Sequence, residues 1–251
     1  MNILSENITV GFTDVDPSGR ITLFSLFDYF QKASIKHAEM LGVGREYLKA
    51  RVQVWVLSRM SVIIERRPAL DEKCVLNTWP RSFEKLFAIR DYDIKDTHGN
   101  ILVRGRSGWL LLDIEKRRPL RPRESGVELP LNEGLDSLDF APLGLNSPQQ
   151  AEKAGERKTV YSDIDFNAHV NNARYIQWLQ DFLPAGTLEN ADSIRLDINY
   201  LNELKQGDIV SFYSAQIHLD KTEAKIWRNA LSFEGRKEDG EAAFRAEVRI
   251  S

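Results

Sequence analysis

Residues 14–31, "DVDPSGRITLFSLFDYFQ", and residues 163–180, "DIDFNAHVNNARYIQWLQ", lie over one another without a gap. Asp14 falls on Asp163, Asp16 on Asp165 and Gln31 on Gln180. The likeness continues downstream, where "RMSVIIERRPALDEKCV" from residue 59 matches "RLDINYLNELKQGDIV" from residue 195 in its alternation and in the acidic turn before the next strand. Self-similarity at this spacing makes the chain two copies of one unit.

Each copy reads as a short strand, a polar turn, a helix and then several strands. In the first copy Leu23, Leu26, Phe27, Phe30, His37 and Leu41 recur at helical spacing, and Gly42 and Gly44 supply the stop. In the second, Asn172, Tyr175, Ile176, Leu179 and Phe182 do the same, and Pro184 ends the run. The predicted strands include "VQVWVLSRMSVII", "ILVRGRSGWLLLD", "IRLDINYL", "DIVSFYSAQIHL" and "AAFRAEVRI", the last alternating Phe244, Ala246, Val248 and Ile250 against Arg245, Glu247 and Arg249. Turn residues such as "DTHGN" at 96–100 join neighbouring antiparallel strands. A stretch from about Glu115 to Arg157 is rich in proline and charge, has no sustained period and reads as a surface connection. The expected fold is α+β, a sheet wrapping a helix in each copy, the two copies packing as an internal pseudo-dimer. The expected boundaries are 1–125 for the first domain, 126–156 for the linker and 157–251 for the second.

The copies differ where chemistry could reside. Ser18 stands opposite Asn167, and Arg20 opposite His169. A turn needed only to start a helix could have been kept in either copy, so this asymmetry favours a reactive role for Asp165, Asn167 and His169. If the segment is extended, all three side chains point one way. A catalytic His169 and a helix-entry His169 both fit the residues alone. Of the other histidines, His37 lies on a helix face and His98 in a turn, where structural roles serve, and His218 ends a strand-like run with no partner evident in the sequence. One of Asn171 and Asn172 is expected to cap the second helix. Glu203 precedes a turn and has Arg67 as its counterpart, so again only the second copy carries the acid. A helix start beside these groups offers backbone N–H groups to an oxyanion, which suits acyl transfer. No serine in a GxSxG setting and no cysteine lies nearby, leaving water as the simplest nucleophile.

Composition excludes several classes. With 251 residues, 42% of them hydrophobic, the chain can bury a core, and a formal charge of −3 with interleaved signs speaks against a nucleic-acid partner. No apolar run has membrane-spanning length, and the opening "MNILSENITVGFTD" lacks a signal pattern. Cys74 is the single cysteine, which precludes an internal disulfide or thiol-rich zinc site and suits a reducing cytosol. It is expected to be a small buried residue. No cofactor or metal is called for. The run "EKRRPLRPRE", residues 115–124, is the strongest local charge feature, and solvated surface is its ordinary meaning.

These residues resemble the acyl-acyl carrier protein thioesterases of bacteria and plant plastids. "DIDFNAHVNNARYIQW" is similar to that family's Asp-x-Asn-x-His-Val-Asn-Asn segment, and the likeness extends through "VWVLSRMSVIIERRPALDEKCVLNTW", "GRSGWLLLDIEKRRPLRP" and "LDINYLNELKQGD" over nearly the whole chain. The resemblance implies two tandem hot-dog domains, the first forming much of an acyl pocket and the second carrying catalysis. It implies hydrolysis of fatty acyl-carrier-protein thioesters by Asp165, Asn167, His169 and Glu203, releasing free fatty acid. On this expectation Glu203 and His169 activate water, Asn167 and backbone N–H groups polarise the carbonyl, and Asp165 orients its neighbours; direct attack by Asp165 through an anhydride uses the same groups. The family often has cysteine directly after the glutamate, where this chain has Leu204, so a thiol nucleophile is not needed here. An acidic carrier protein also gives the basic run a purpose, docking near Arg117, Arg118 and Arg121. A hot-dog acyl-CoA thioesterase and a non-catalytic acyl-binding module are the alternatives, and the chain could act as a monomer or homodimer.

Overall fold

The computed structural model describes residues 2–251. The chain divides into two compact units, one comprising the residues up to Val62 with Arg67–Pro142, the other Ile63–Arg66 with Leu143–Ser251.

The first unit contains β1 (Leu4–Thr9), α1 (Leu23–Met40), α2 (Arg45–Lys49), β2 (Gln53–Ile64), β3 (Lys73–Glu84), β4 (Phe87–Asp96), β5 (Ile101–Asp113) and β6 (Arg118–Leu120). Its sheet runs β1-β3-β4-β5-β2, with β6 folding back antiparallel onto β5. Helix α1 starts at Thr22, whose hydroxyl accepts the Ser25 N–H at 3.0 Å, and stops where Gly42 takes a left-handed φ of 72°. Leu23, Leu26, Phe27, Phe30, Ala33 and His37 form its buried stripe, the spacing read from the sequence. The Phe30 ring meets Tyr92 of β4 at 4.6 Å between centroids. His37 is fully buried, and its Nδ1 lies 3.1 Å from the Arg90 guanidinium, a structural histidine.

The second unit contains β7 (Glu152–Lys158), α3 (Asn172–Asp181), β8 (Ile194–Tyr200), β9 (Ile209–Gln216), β10 (Asn229–Lys237) and β11 (Ala242–Ile250). Its antiparallel sheet runs β8-β11-β10-β9-β7. Tyr175, Ile176, Trp178 and Leu179 form the buried face of α3, and Trp178 and Tyr175 meet Phe212 and Phe244 edge-on at 6.1 and 5.4 Å. Phe244 in turn lies over Gly235, its partner on β10, where an added Cβ would stand 2.2 Å from the Phe244 ring. In this unit the helix is ten residues against eighteen in α1, because Pro184 bars continuation.

Each unit is thus a helix packed on an antiparallel sheet, the α+β hot-dog arrangement. The stretch read as a linker is not a free connection. Asn132 donates to the Pro80 carbonyl, Ser137 N–H to buried Asp91 at 2.8 Å, and the Leu135 carbonyl accepts from Trp79 at 3.0 Å, which straps this segment to the first sheet. Leu145 N–H donates to Asn199 Oδ1 at 2.7 Å in the second unit, and β7 already begins at Glu152. The partners that hold the segment sit on strands far away in sequence, so its own composition could not show that it is pinned.

Candidate active site

In the second unit a short 3₁₀ turn, Tyr161–Asp163, leads to a bridge between Ile164 and Val170. Between the bridge residues the backbone doubles back. Asp165 N–H donates to the His169 carbonyl at 2.8 Å, Ala168 N–H to the Asp165 carbonyl at 3.0 Å, and Asp165 Oδ1 accepts the Asn167 N–H at 2.7 Å. An aspartate that bonds the backbone two residues on is the usual way to open such a turn. The segment is therefore a tight turn rather than the extended run that would align residues 165, 167 and 169 by alternation. Asp165 and His169 face each other across it instead. Ala168 carries a left-handed φ of 63°, where the first copy has Gly19 at 70°. Beyond the turn, Asn171 caps α3 by accepting the Ala173 N–H at 2.8 Å, the capping role expected of this asparagine pair.

Glu203 comes from the loop after β8. The Val170 N–H donates to the Leu204 carbonyl at 2.8 Å, setting Glu203 beside His169. His169 Nε2 and Glu203 Oε2 are 3.1 Å apart, and both side chains reach solvent, His169 at 31% and Glu203 at 59% exposure. The Asn167 residue is exposed on the same turn. The structure thus brings His169 and Glu203 into contact, commits one Asp165 oxygen to the backbone, and leaves Asn167 at the surface.

The first copy builds the same frame. Asp16 N–H donates to Arg20, Gly19 N–H to Asp16 and Ile21 N–H to the Pro68 carbonyl, at 2.9, 2.9 and 2.8 Å, matching the second copy bond for bond. What differs is the charge within it. Arg67, the counterpart of Glu203, is buried and forms an ion pair with half-buried Asp16, and Arg20, the counterpart of His169, donates to the Arg67 carbonyl at 3.2 Å. Burial raises the Asp16 carboxyl, but the hydrogen bonds and charge of Arg67 with the Ser18 contacts outweigh it and hold the group below its ordinary range. The first loop is locked by its own ion pair. In the second, a carboxylate replaces the guanidinium, so Asp165 has no such lock and an imidazole–carboxylate pair faces solvent. This Asp16–Arg67 pair was not foreseen, although the charge reversal between Arg67 and Glu203 was its signal.

Among the described residues no group of three or more His, Cys, Asp or Glu side chains is arranged to hold a metal ion. Among the described residues, too, no helix is long and apolar enough to cross a membrane. The basic run forms the β5–β6 hairpin of the first unit, where Arg117 and Arg118 are exposed, Arg121 pairs with Glu124 at 3.1 Å and Arg123 with Glu133 at 3.7 Å.

The fold is a tandem hot-dog arrangement in which the second copy holds an imidazole–carboxylate contact where the first holds an ion pair. The chain belongs to the acyl-ACP thioesterase family: the acyl-ACP thioesterase N-terminal domain matches residues 2–127 and the C-terminal domain residues 146–248. Among its relatives are the oleoyl-acyl carrier protein thioesterase 2 of Arabidopsis thaliana, 24% identical over 98% of this chain and 72% of that protein, and the acyl-[acyl-carrier-protein] hydrolase FATB2 of Cuphea viscosissima, 23% identical over 85% of this chain. The chain spans 55% of the Cuphea protein's length and 54% of a Cuphea hookeriana palmitoyl-acyl carrier protein thioesterase. Among solved structures, an acyl-ACP thioesterase from Bacteroides thetaiotaomicron shares the fold with a TM-score of 0.83, 24% identity and coverage of 100% of this chain and 98% of that one. The 12:0-ACP thioesterase of Umbellularia californica does so at 0.78, with 18% identity over 99% of this chain and 94% of that one.

Proposed function

We propose that this protein hydrolyses fatty acyl thioesters of acyl carrier protein, releasing the free fatty acid, and that His169 and Glu203 of the second unit are its working pair. The observation that carries the reading is the exchange just described. One frame, built twice, holds a self-locked Asp16–Arg67 ion pair in one copy and an exposed imidazole–carboxylate contact of 3.1 Å in the other.

His169 Nε2–H donates to one Glu203 oxygen, and the second oxygen takes a proton from water as the hydroxide forms a bond to the thioester carbon. The Asn167 amide donates to the carbonyl oxygen as it gains negative charge, and Asp165 keeps the turn that presents both groups. The carbon–sulfur bond then breaks, and the carrier's thiolate recovers the proton. In oxygen-18 water under single-turnover conditions this route puts label in the fatty acid alone. Label in an enzyme carboxylate, Asp165 first, would establish the anhydride route instead.

The exposed Arg117 and Arg118, with Arg121, form the proposed dock for the acidic carrier. Reversing their charge to glutamate is expected to raise KM for carrier-bound substrate roughly tenfold and to leave short thioester mimics unaffected. An equal effect on both substrates removes the dock. The lone, buried Cys74 suits action in the cytoplasm.

A further inference from the structure

Two tyrosines stand behind the His169–Glu203 contact. Tyr175 of α3 is buried, and its hydroxyl lies beside the backbone N–H of Leu204, the residue after Glu203. Burial, with the charges of Glu203, Asp208 and Asp165 nearby, pushes this phenol above its ordinary range, so it stays neutral. Tyr200, the last residue of β8, donates its hydroxyl to the carbonyl of Asn172, the first residue of α3, at 3.1 Å. The two rings meet edge to face with centroids 5.5 Å apart. His169 lies just before α3 and Glu203 just after β8. The Tyr200 hydroxyl therefore ties the strand beside Glu203 to the helix start beside His169, and the Tyr175 ring packs on Tyr200 with its hydroxyl toward the backbone after Glu203.

The first copy lacks both hydroxyls. By the offsets that set Asp14 on Asp163 and Arg67 on Glu203, Tyr175 corresponds to Leu26, Tyr200 to Ile64 and Leu204 to Pro68. Proline has no N–H to satisfy and isoleucine none to donate from its side chain, yet the loop bonds of that copy, including Ile21 N–H to the Pro68 carbonyl at 2.8 Å, are the same. The frame folds without the hydroxyls, which occur only beside the imidazole and carboxylate.

We propose that Tyr175 and Tyr200 are positioning residues for thioester hydrolysis, fixing the Glu203–Leu204 peptide against the start of α3 so that Glu203 stays on His169. The inference rests on the reading of His169 and Glu203 as the working pair. A double-mutant cycle on acyl carrier protein thioesters tests it, with Tyr175→Phe and Tyr200→Phe each made in the native and in the Glu203→Gln background. In the native background kcat should fall about ten- to a hundredfold with KM nearly unchanged, because small misplacements of a base are costly. In the Glu203→Gln background the same changes should cost less than about threefold, since the group they position is already gone. Equal losses in both backgrounds mean a merely structural role, and undiminished kcat in both single variants means no role; either overturns the proposal. Should Tyr175→Phe fail to fold, Tyr200→Phe, which loses one bond to one carbonyl, gives the same readout. If Glu203→Gln alone retains native kcat, the working pair falls and the tyrosine brace with it. If Glu203→Gln loses activity while both tyrosine variants keep theirs, only the brace falls.

Discussion

His169→Ala is expected to lower kcat on acyl carrier protein thioesters by about a thousandfold or more, the scale on which positioned acid–base groups act, while leaving the protein folded. The side chain is partly exposed and its partner Glu203 is more exposed still, so little stability depends on it. The turn around it is built from backbone bonds and Asp165, and α3 is capped by Asn171, none of which needs the imidazole. Glu203→Gln, which keeps shape and removes the base, should fall in the same range. Rates on carrier-bound substrate, with circular dichroism as the check on folding, measure both. Full activity of His169→Ala would remove it from the chemistry.

The largest effect on stability is expected from Arg106→Leu. Arg106 of β5 binds buried Asp91 of β4 with two bonds of 2.7 Å, and adds Asp136 at 2.6 Å and the Phe140 carbonyl at 3.1 Å. Asp91 is fully enclosed, and burial raises its carboxyl even with the guanidinium beside it. Removing the cation strands a buried carboxylate, which costs about 3–5 kcal/mol. It also frees the strap at Ser137, whose N–H donates to Asp91. Replacing both partners, Asp91→Leu with Arg106→Leu, should cost less than the single change because no charge is left unpaired. Urea unfolding measures both; a single variant as stable as the native protein would show that the pair contributes nothing.

Much of this architecture was legible because the chain states it twice. The stripe from Leu23 to His37 and the alternation from Phe244 to Ile250 place α1 and β11 where they are found. A cap from the pair Asn171 and Asn172, and His37 as a structural histidine, were likewise readable from residue type and spacing. The straps over residues 130–145 were not, because their acceptors and donors, Pro80, Asp91 and Asn199, lie on distant strands. A polar turn before the helix was readable, but not that it doubles back at 165–168 and so breaks the alternation of 165, 167 and 169, because Ala168 hides a left-handed backbone that Gly19 declares in the other copy. At the site, the repeat and the family resemblance together singled out Asp165, Asn167, His169 and Glu203, and the Val170–Leu204 backbone bond explains how the last two meet. The ion pair of Asp16 with Arg67 and the hydroxyls of Tyr175 and Tyr200 became visible only with the fold, although each differs from its counterpart in the aligned copies.

The most direct test measures fatty acid release by the intact protein from one acyl group carried on acyl carrier protein and on coenzyme A. Hydrolysis of the carrier-bound thioester with the higher kcat/KM, lost in His169→Ala, is the predicted result; no release from the carrier, or a preference for coenzyme A, would contradict it.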